Sequence, residues 1–182
     1  LPVDSTLTAL VAEGYLGEVL AVEVRAVQGR FIDREASLHW RQDAALSGLN
    51  VLNMGIWYEA MMRWVGPARR VMARAKTAVP ERRDAAGALR PVGVPDHVEI
   101  LADLANGAVA HLSFSAVTAL PPPNEAWLFG SEGTLRLETS PLRLWGGRRG
   151  DKTLTEIVVP PERQVGWRVE EEFVNAIRGK EK

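Results

Sequence analysis

The chain has no cysteine, three histidines and two tyrosines. Without cysteine there is no disulfide and no thiolate metal site, although the compartment stays open on that ground. Neither sign of charge dominates. Lys and Arg number 22 against 23 Asp and Glu, a net charge of −1, so no electrostatic footprint points to nucleic acid or an anionic membrane. No apolar run approaches the ~18 residues that would cross a bilayer, and no signal-peptide pattern is visible. A cytoplasmic protein is expected. No G-x-G-x-x-G follows a strand pattern, so a dinucleotide-binding half, if the protein has one, is expected upstream. Repeats and low-complexity tracts are also missing. What is present suits one domain with a real core: 182 residues, 46% hydrophobic and 25% charged. The Leu-Pro start and the Lys-Glu-Lys end, after an apparent helix, read as a piece of something longer.

The most informative stretch is Ser47 to Gly66. Leu49, Leu52, Ile56, Ala60 and Trp64 recur at three- and four-residue steps, the spacing of one helix face. Gly48 and Gly55 remove bulk, so a backbone or ligand can come close. Asn53 and Trp57 are four apart, which stacks an amide one turn above an indole. Two readings stay open here. The pair either packs and hydrogen-bonds within a core helix, or faces a ligand.

Taken in order, Asp4 or Ser5 caps a first helix that stops at Gly14. Alternation predicts a strand over Val19 to Gln28. An irregular segment, 29–46, carries Trp40, Arg41 and Asp43. A Trp-Arg pair can lie along a ligand with the guanidinium on a phosphate or carboxylate, or can form a surface cation–π contact. A second strand is expected over Arg69 to Val79, followed by a charged segment without periodicity at 81–95 whose role stays open.

Asn106-Gly107 reads as a two-residue type I′ hairpin turn. That register pairs Leu104 with Val109 and Ala102 with His111, and leaves both sheet faces part apolar. It also sends His97 and His111 to opposite faces, so no metal site is expected. Gly130 to Gly133 is read as a hairpin turn rather than a phosphate cradle, because no helix pattern follows it. A last hairpin spans 142–159 with Arg148 and Arg149 at its solvated tip, and Val169 to Ile177 is a final helix. The tally is α+β: an open, predominantly antiparallel sheet of about eight strands with helices on one face.

Several short segments, in order, carry a resemblance. They are Leu16-Gly17-Glu18-Val19, Trp40-Arg41-Gln42-Asp43, Asn53-Met54-Gly55-Ile56-Trp57, Asn106-Gly107-Ala108 and Gly130 through Leu135. This order resembles the C-terminal domain of the Gfo/Idh/MocA family of NAD(P)-dependent sugar and polyol oxidoreductases. In that family a W-R-x-D segment precedes a helix of pattern D-x-G-x-H-x-x-D. Here Asn53 stands for the first Asp, Trp57 for the His and Ala60 for the second Asp.

The resemblance implies the dihydrodipicolinate reductase-like α+β fold. It also implies that 1–182 is one substrate-binding and oligomerisation domain whose Rossmann partner lies upstream. NAD or NADP is expected in the full-length protein and none on this chain alone. The expected partners are a carbohydrate-like small molecule, the protein's own N-terminal domain, and a second copy through the open sheet face. By position, Asn53 and Trp57 take the catalytic places, Arg41, Asp43 and Asn50 the substrate, and Trp40 the cofactor. Neither an amide nor an indole titrates near neutral pH. Two functions therefore follow. The parent is an oxidoreductase whose upstream Lys moves the proton, or it is a non-hydride enzyme or inactive ligand-binding relative that kept the fold.

Overall fold

The computed structural model describes residues 3–49, 53–159 and 169–180. Helix α1 (Asp4–Ala12) leads through a turn into β1 (Val19–Val27). A single 3-10 turn (Trp40–Gln42), the short α2 (Ala44–Ser47) and α3 (Met54–Val65) follow. Then come β2 (Ala68–Lys76), β3 (Glu81–Arg83), β4 (Leu89–Pro91), β5 (His97–Leu104) and β6 (Val109–Ser115). The chain continues with β7 (Glu125–Gly130), β8 (Gly133–Thr139), β9 (Leu142–Arg148), β10 (Thr155–Ile157) and α4 (Val169–Ile177). Eight strands form one sheet in the order β10-β9-β8-β7-β1-β6-β5-β2. Its described pairings are antiparallel except β1 with β6. This is the expected open α+β sheet.

One face of the sheet is the core. Val22 and Val24 of β1 lie level with Ala110 and Leu112 of β6 and with Leu128 and Ala126 of β7. All are at most 2% exposed. Helices α1 and α3 cover this face. Trp57, Ala60, Met61 and Trp64 recur at helical spacing and are buried. Trp64 also donates its indole N–H to Asp4 at 2.8 Å, tying α3 to α1.

The central helix differs from expectation. It does not run from Ser47. Asp43 caps a single turn by accepting from Ala45 N–H at 2.9 Å, and Gly48 ends that turn at φ 60°. Such a positive φ is cheap only for glycine. Because α3 starts at Met54, its buried stripe is rotated. Trp57 faces inward, while Ile56 is 60% and Leu49 74% exposed.

The β5–β6 hairpin is also shifted by one residue. Leu104 N–H reaches Ala108 carbonyl, and Gly107 at φ 92° closes a three-residue loop in place of the two-residue turn. A one-residue slip turns every side chain to the other face. Val98, Ile100, Ala102, Leu104, Ala110, Leu112 and Phe114 point into the core, and His97, Glu99, Leu101, Asp103, His111 and Ser113 point out. The register behind the expectation of two part-apolar faces was wrong, yet the outward face still carries Leu101 and Val109.

The charged segment 81–95 is not aperiodic, since β3 and β4 pair within it as a second, two-stranded sheet. Arg82 is the reason it sits where it does. It is 2% exposed and donates to the carbonyls of Phe31, Asp33 and Ala36 at 2.5, 2.6 and 2.9 Å. Helix α4 forms as expected, but none of its residues is buried, and its apolar Phe173, Val174 and Ile177 are exposed. No described helix is long and apolar enough to cross a membrane.

Candidate functional site

Where β1 ends, the chain leaves the sheet into the 29–39 loop, which Arg82 holds from beneath. Opposite it, Asp96 just ahead of β5 accepts from the backbone N–H groups of Ala78 and Val79 at 2.7 and 3.1 Å. Between these segments and the N-terminus of α3 lies a cavity of about 180 Å³. Gln28, Arg30, Phe31, Arg41, Gln42, Asn53, Val94, Pro95 and Asp96 line it. Two expected site residues, Arg41 and Asn53, therefore meet at one concavity although 12 positions part them in the chain.

The other expected positions divide. Trp57 is 7% exposed among the domain's own apolar side chains. That burial withdraws the flat platform expected beside Asn53 and makes the indole packing bulk. Asp43 gives its carboxylate to the α2 cap. Trp40 is half exposed, stacked at 5.7 Å on His39, with the Arg41 guanidinium 4.2 Å from its ring centroid. The cation–π reading of the Trp-Arg pair is thus the local geometry. Asn50 lies outside the described residues.

Sequence reasoning missed Gln28, Arg30, Gln42 and Asp96. They come from separate segments that only the sheet order brings together. Gln42 alone had a local signal. Its side chain accepts from His39 N–H at 3.1 Å while His39 Nδ1 accepts from Arg41 N–H at 3.1 Å, a reciprocal cap of the 3-10 turn.

His39 is the titratable group beside this wall. Burial, then the charges of Arg30 and Arg41, hold its imidazole below the ordinary 6.5. Arg30 stands 3.1 Å from its Nε2. Both ring nitrogens thus face donors, and a second ring proton would have to point at one of them. A lowered folded-state value means the unfolded chain takes up the proton first. This contribution to stability is complete above the unfolded value and is lost as pH falls through the folded one. An NMR titration is expected to place His39 below 6.5. Arg30→Gln with Arg41→Gln is expected to move it upward.

The expectation that His97 and His111 face opposite ways fails with the old register. Both lie on the open face, with their Nε2 atoms 3.2 and 3.0 Å from the two oxygens of Glu99. Each imidazole is spent on a different oxygen, and no group of three or more side chains poised to hold a metal ion occurs among the described residues. The neighbouring Arg25, Glu125, Arg136 and Glu138 form a chain of ion pairs on that face.

The comparisons with known proteins agree with this architecture. The family model described as the GFO/IDH/MocA C-terminal domain matches residues 5–136. No curated protein matches the chain. Among solved structures, an oxidoreductase domain protein from Kribbella flavida is 23% identical with a TM-score of 0.83, over 100% of this chain and 55% of that one. Levoglucosan dehydrogenase in complex with NADH and L-sorbose is 20% identical with a TM-score of 0.82, over 96% and 53%. An inositol dehydrogenase homolog complexed with NAD+ from Azotobacter vinelandii is 18% identical with a TM-score of 0.72, over 92% and 45%. The chain thus spans about half the length of these structures. With the family model covering most of its length and the same sheet beneath, the chain belongs to the Gfo/Idh/MocA C-terminal domain family.

Proposed function

We propose that this chain is the substrate-side domain of an NAD(P)-dependent oxidoreductase acting on a sugar, polyol or related hydroxyl compound, with the dinucleotide domain upstream. The observation that carries the reading is the meeting of Arg41 and Asn53 at one polar cavity in a domain of this family. In this reading Asn53, whose side chain makes no capping bond, orients the substrate hydroxyl. Arg41 anchors the substrate. Removing the hydroxyl proton needs a group that titrates near neutral pH. Positions 53 and 57 offer none, so that task falls to the upstream domain, with a lysine as the expected group.

The test joins the chain to its dinucleotide-binding half and follows NADH formation with a panel of polyols and sugars. Asn53→Ala is expected to lower turnover roughly tenfold or more, as misplacing a reacting group does, with cofactor affinity unchanged. The chain alone is expected to bind neither NAD nor NADP in calorimetry. Turnover equal to wild type in Asn53→Ala would remove Asn53 from the site. The second reading, a ligand-binding relative without hydride chemistry, is favoured by the burial of Trp57 at the family's His position. Sugar binding with no NADH formation under any condition would establish it.

The same reading includes a homodimer through the open sheet face. Leu101, Val109 and Met72 are about half to two-thirds exposed there, beside the stacked pair Trp127 and Phe129. Arg70, Arg74 and Lys76 run along one margin of this face and Glu138 and Glu156 lie toward the other. A two-fold axis parallel to the strands would bring those margins together. Light scattering is expected to give about twice 20.0 kDa, and Leu101→Glu to halve it. A folded monomer at micromolar concentration would refute the dimer.

A further inference from the structure

The charges in the cavity wall do not balance. Arg30 and Arg41 both line it, and among the described residues neither takes part in an ion pair. Their guanidinium groups rest instead on the rings of Phe31 and Trp40, at 5.6 and 4.2 Å. The one carboxylate in the wall, Asp96, is 2% exposed and already receives two backbone N–H groups. Gln42, also 2% exposed, belongs to the same wall, with its amide nitrogen buried and without a partner.

We propose that this cavity receives an anionic group, a carboxylate or a phosphate, carried on the carbohydrate-like substrate. Two guanidinium groups without a carboxylate partner suit the planar, bidentate geometry of such oxygens. Size agrees. At about 180 Å³ the cavity is smaller than the ~300 Å³ at which pockets begin to enclose whole drug-sized ligands. It accommodates an acidic head, while the rest of the molecule projects past Asn53 toward the proposed cofactor domain. The inference rests on reading this cavity as the substrate site, and it adds that the substrate is an acidic sugar or a phosphorylated polyol.

The experiment titrates the 182-residue chain at low ionic strength with D-gluconate, inorganic phosphate and, as the neutral control, D-glucitol. The arginine Nε–H signals are followed by NMR. Saturable shifts with gluconate, phosphate or both, and none with glucitol, are expected. The anion that saturates at lower concentration identifies the head group. Arg30→Gln with Arg41→Gln is expected to weaken that binding at least tenfold. Thermal unfolding of this variant confirms that it is folded.

The inference fails if neither anion gives a saturable shift, if glucitol matches them, or if the folded double-arginine variant binds as well as the parent. Failure of the oxidoreductase reading looks different. Anion binding would persist, but the full-length protein would form no NADH with acidic or phosphorylated substrates. Rapid turnover of neutral polyols, with no anion bound to the chain, would sink this inference alone.

Discussion

Replacing Arg82 with leucine is expected to destabilise the domain by about 3 kcal/mol, which for a chain of this size lowers the unfolding midpoint by roughly 6–12 °C. The guanidinium feeds the carbonyls of Phe31, Asp33 and Ala36. Leucine fills the space and leaves all three without a donor. Two terms oppose each other. Each orphaned carbonyl costs about 1–3 kcal/mol, whereas removing a buried charge that has no anionic partner recovers some desolvation energy. The carbonyl term wins only in part, because the 29–39 loop lies at the surface and can open to water. Calorimetry should therefore show a lowered midpoint, and limited proteolysis new cleavage within 29–39. Arg82→Lys, one donor group in place of a fork, is expected to fall between. An unchanged midpoint for Arg82→Leu would mean that the loop is held by something else. Arg30 and Phe31 belong to the same loop, so the variant is also expected to weaken whatever the cavity binds.

Gly130→Ala is expected to cost about 3 kcal/mol or more, at the upper end of what forcing extra bulk into a packed site costs. A Cβ at Gly130 would lie 2.1 Å from the carbonyl oxygen of Leu16 and 2.7 Å from its Cβ. Backbone cannot step aside as a flexible side chain does. The strand end and the Leu16–Gly17 turn would have to part, breaking the bonds from Glu132 N–H to Leu16 and from Ser131 N–H to Glu18. Denaturant unfolding measures the loss. Gly150→Ala provides the contrast. Nothing lies within 4 Å of its added Cβ, although its φ of 102° carries a strain of its own. A Gly130→Ala midpoint equal to wild type would show that the two segments are not locked together.

Local alternation and turn chemistry made the sheet legible. Strands β1, β2 and β7 and helices α1 and α4 stand within a few residues of where the pattern puts them. Register was not legible, because Asn-Gly serves both a two-residue and a three-residue turn, and only packing of Phe114 and Leu112 into the core decides between them. Helix phase failed for a similar reason. Gly48 interrupts the 47–66 pattern, and the choice of Trp57 over Ile56 as the inward residue is made by α1 and the sheet. At the site, Arg41 and Asn53 were visible because short motifs mark them. Arg30 and Asp96 were not, since their meeting depends on β1 and β5 both flanking β6.

The parallel pairing of β1 with β6 bears on how the chain comes together as it is made. Val24 lies between Leu112 on one side and Ala126 on the other, so the central strand is synthesised early and both its neighbours late. The β5–β6 hairpin and the β7–β8–β9 meander close from short loops, but the seam joining them runs through a strand separated from both by roughly half of the chain. Such distant closure is slow because its entropy is spent before any contact forms. Until β6 has emerged, β1 has two unpaired edges, and until β7 follows it keeps one, beside an apolar face bearing Val22 and Val24. Interrupted synthesis or a slow seam therefore leaves the middle of the sheet, rather than its margin, as the adhesive part of the nascent chain.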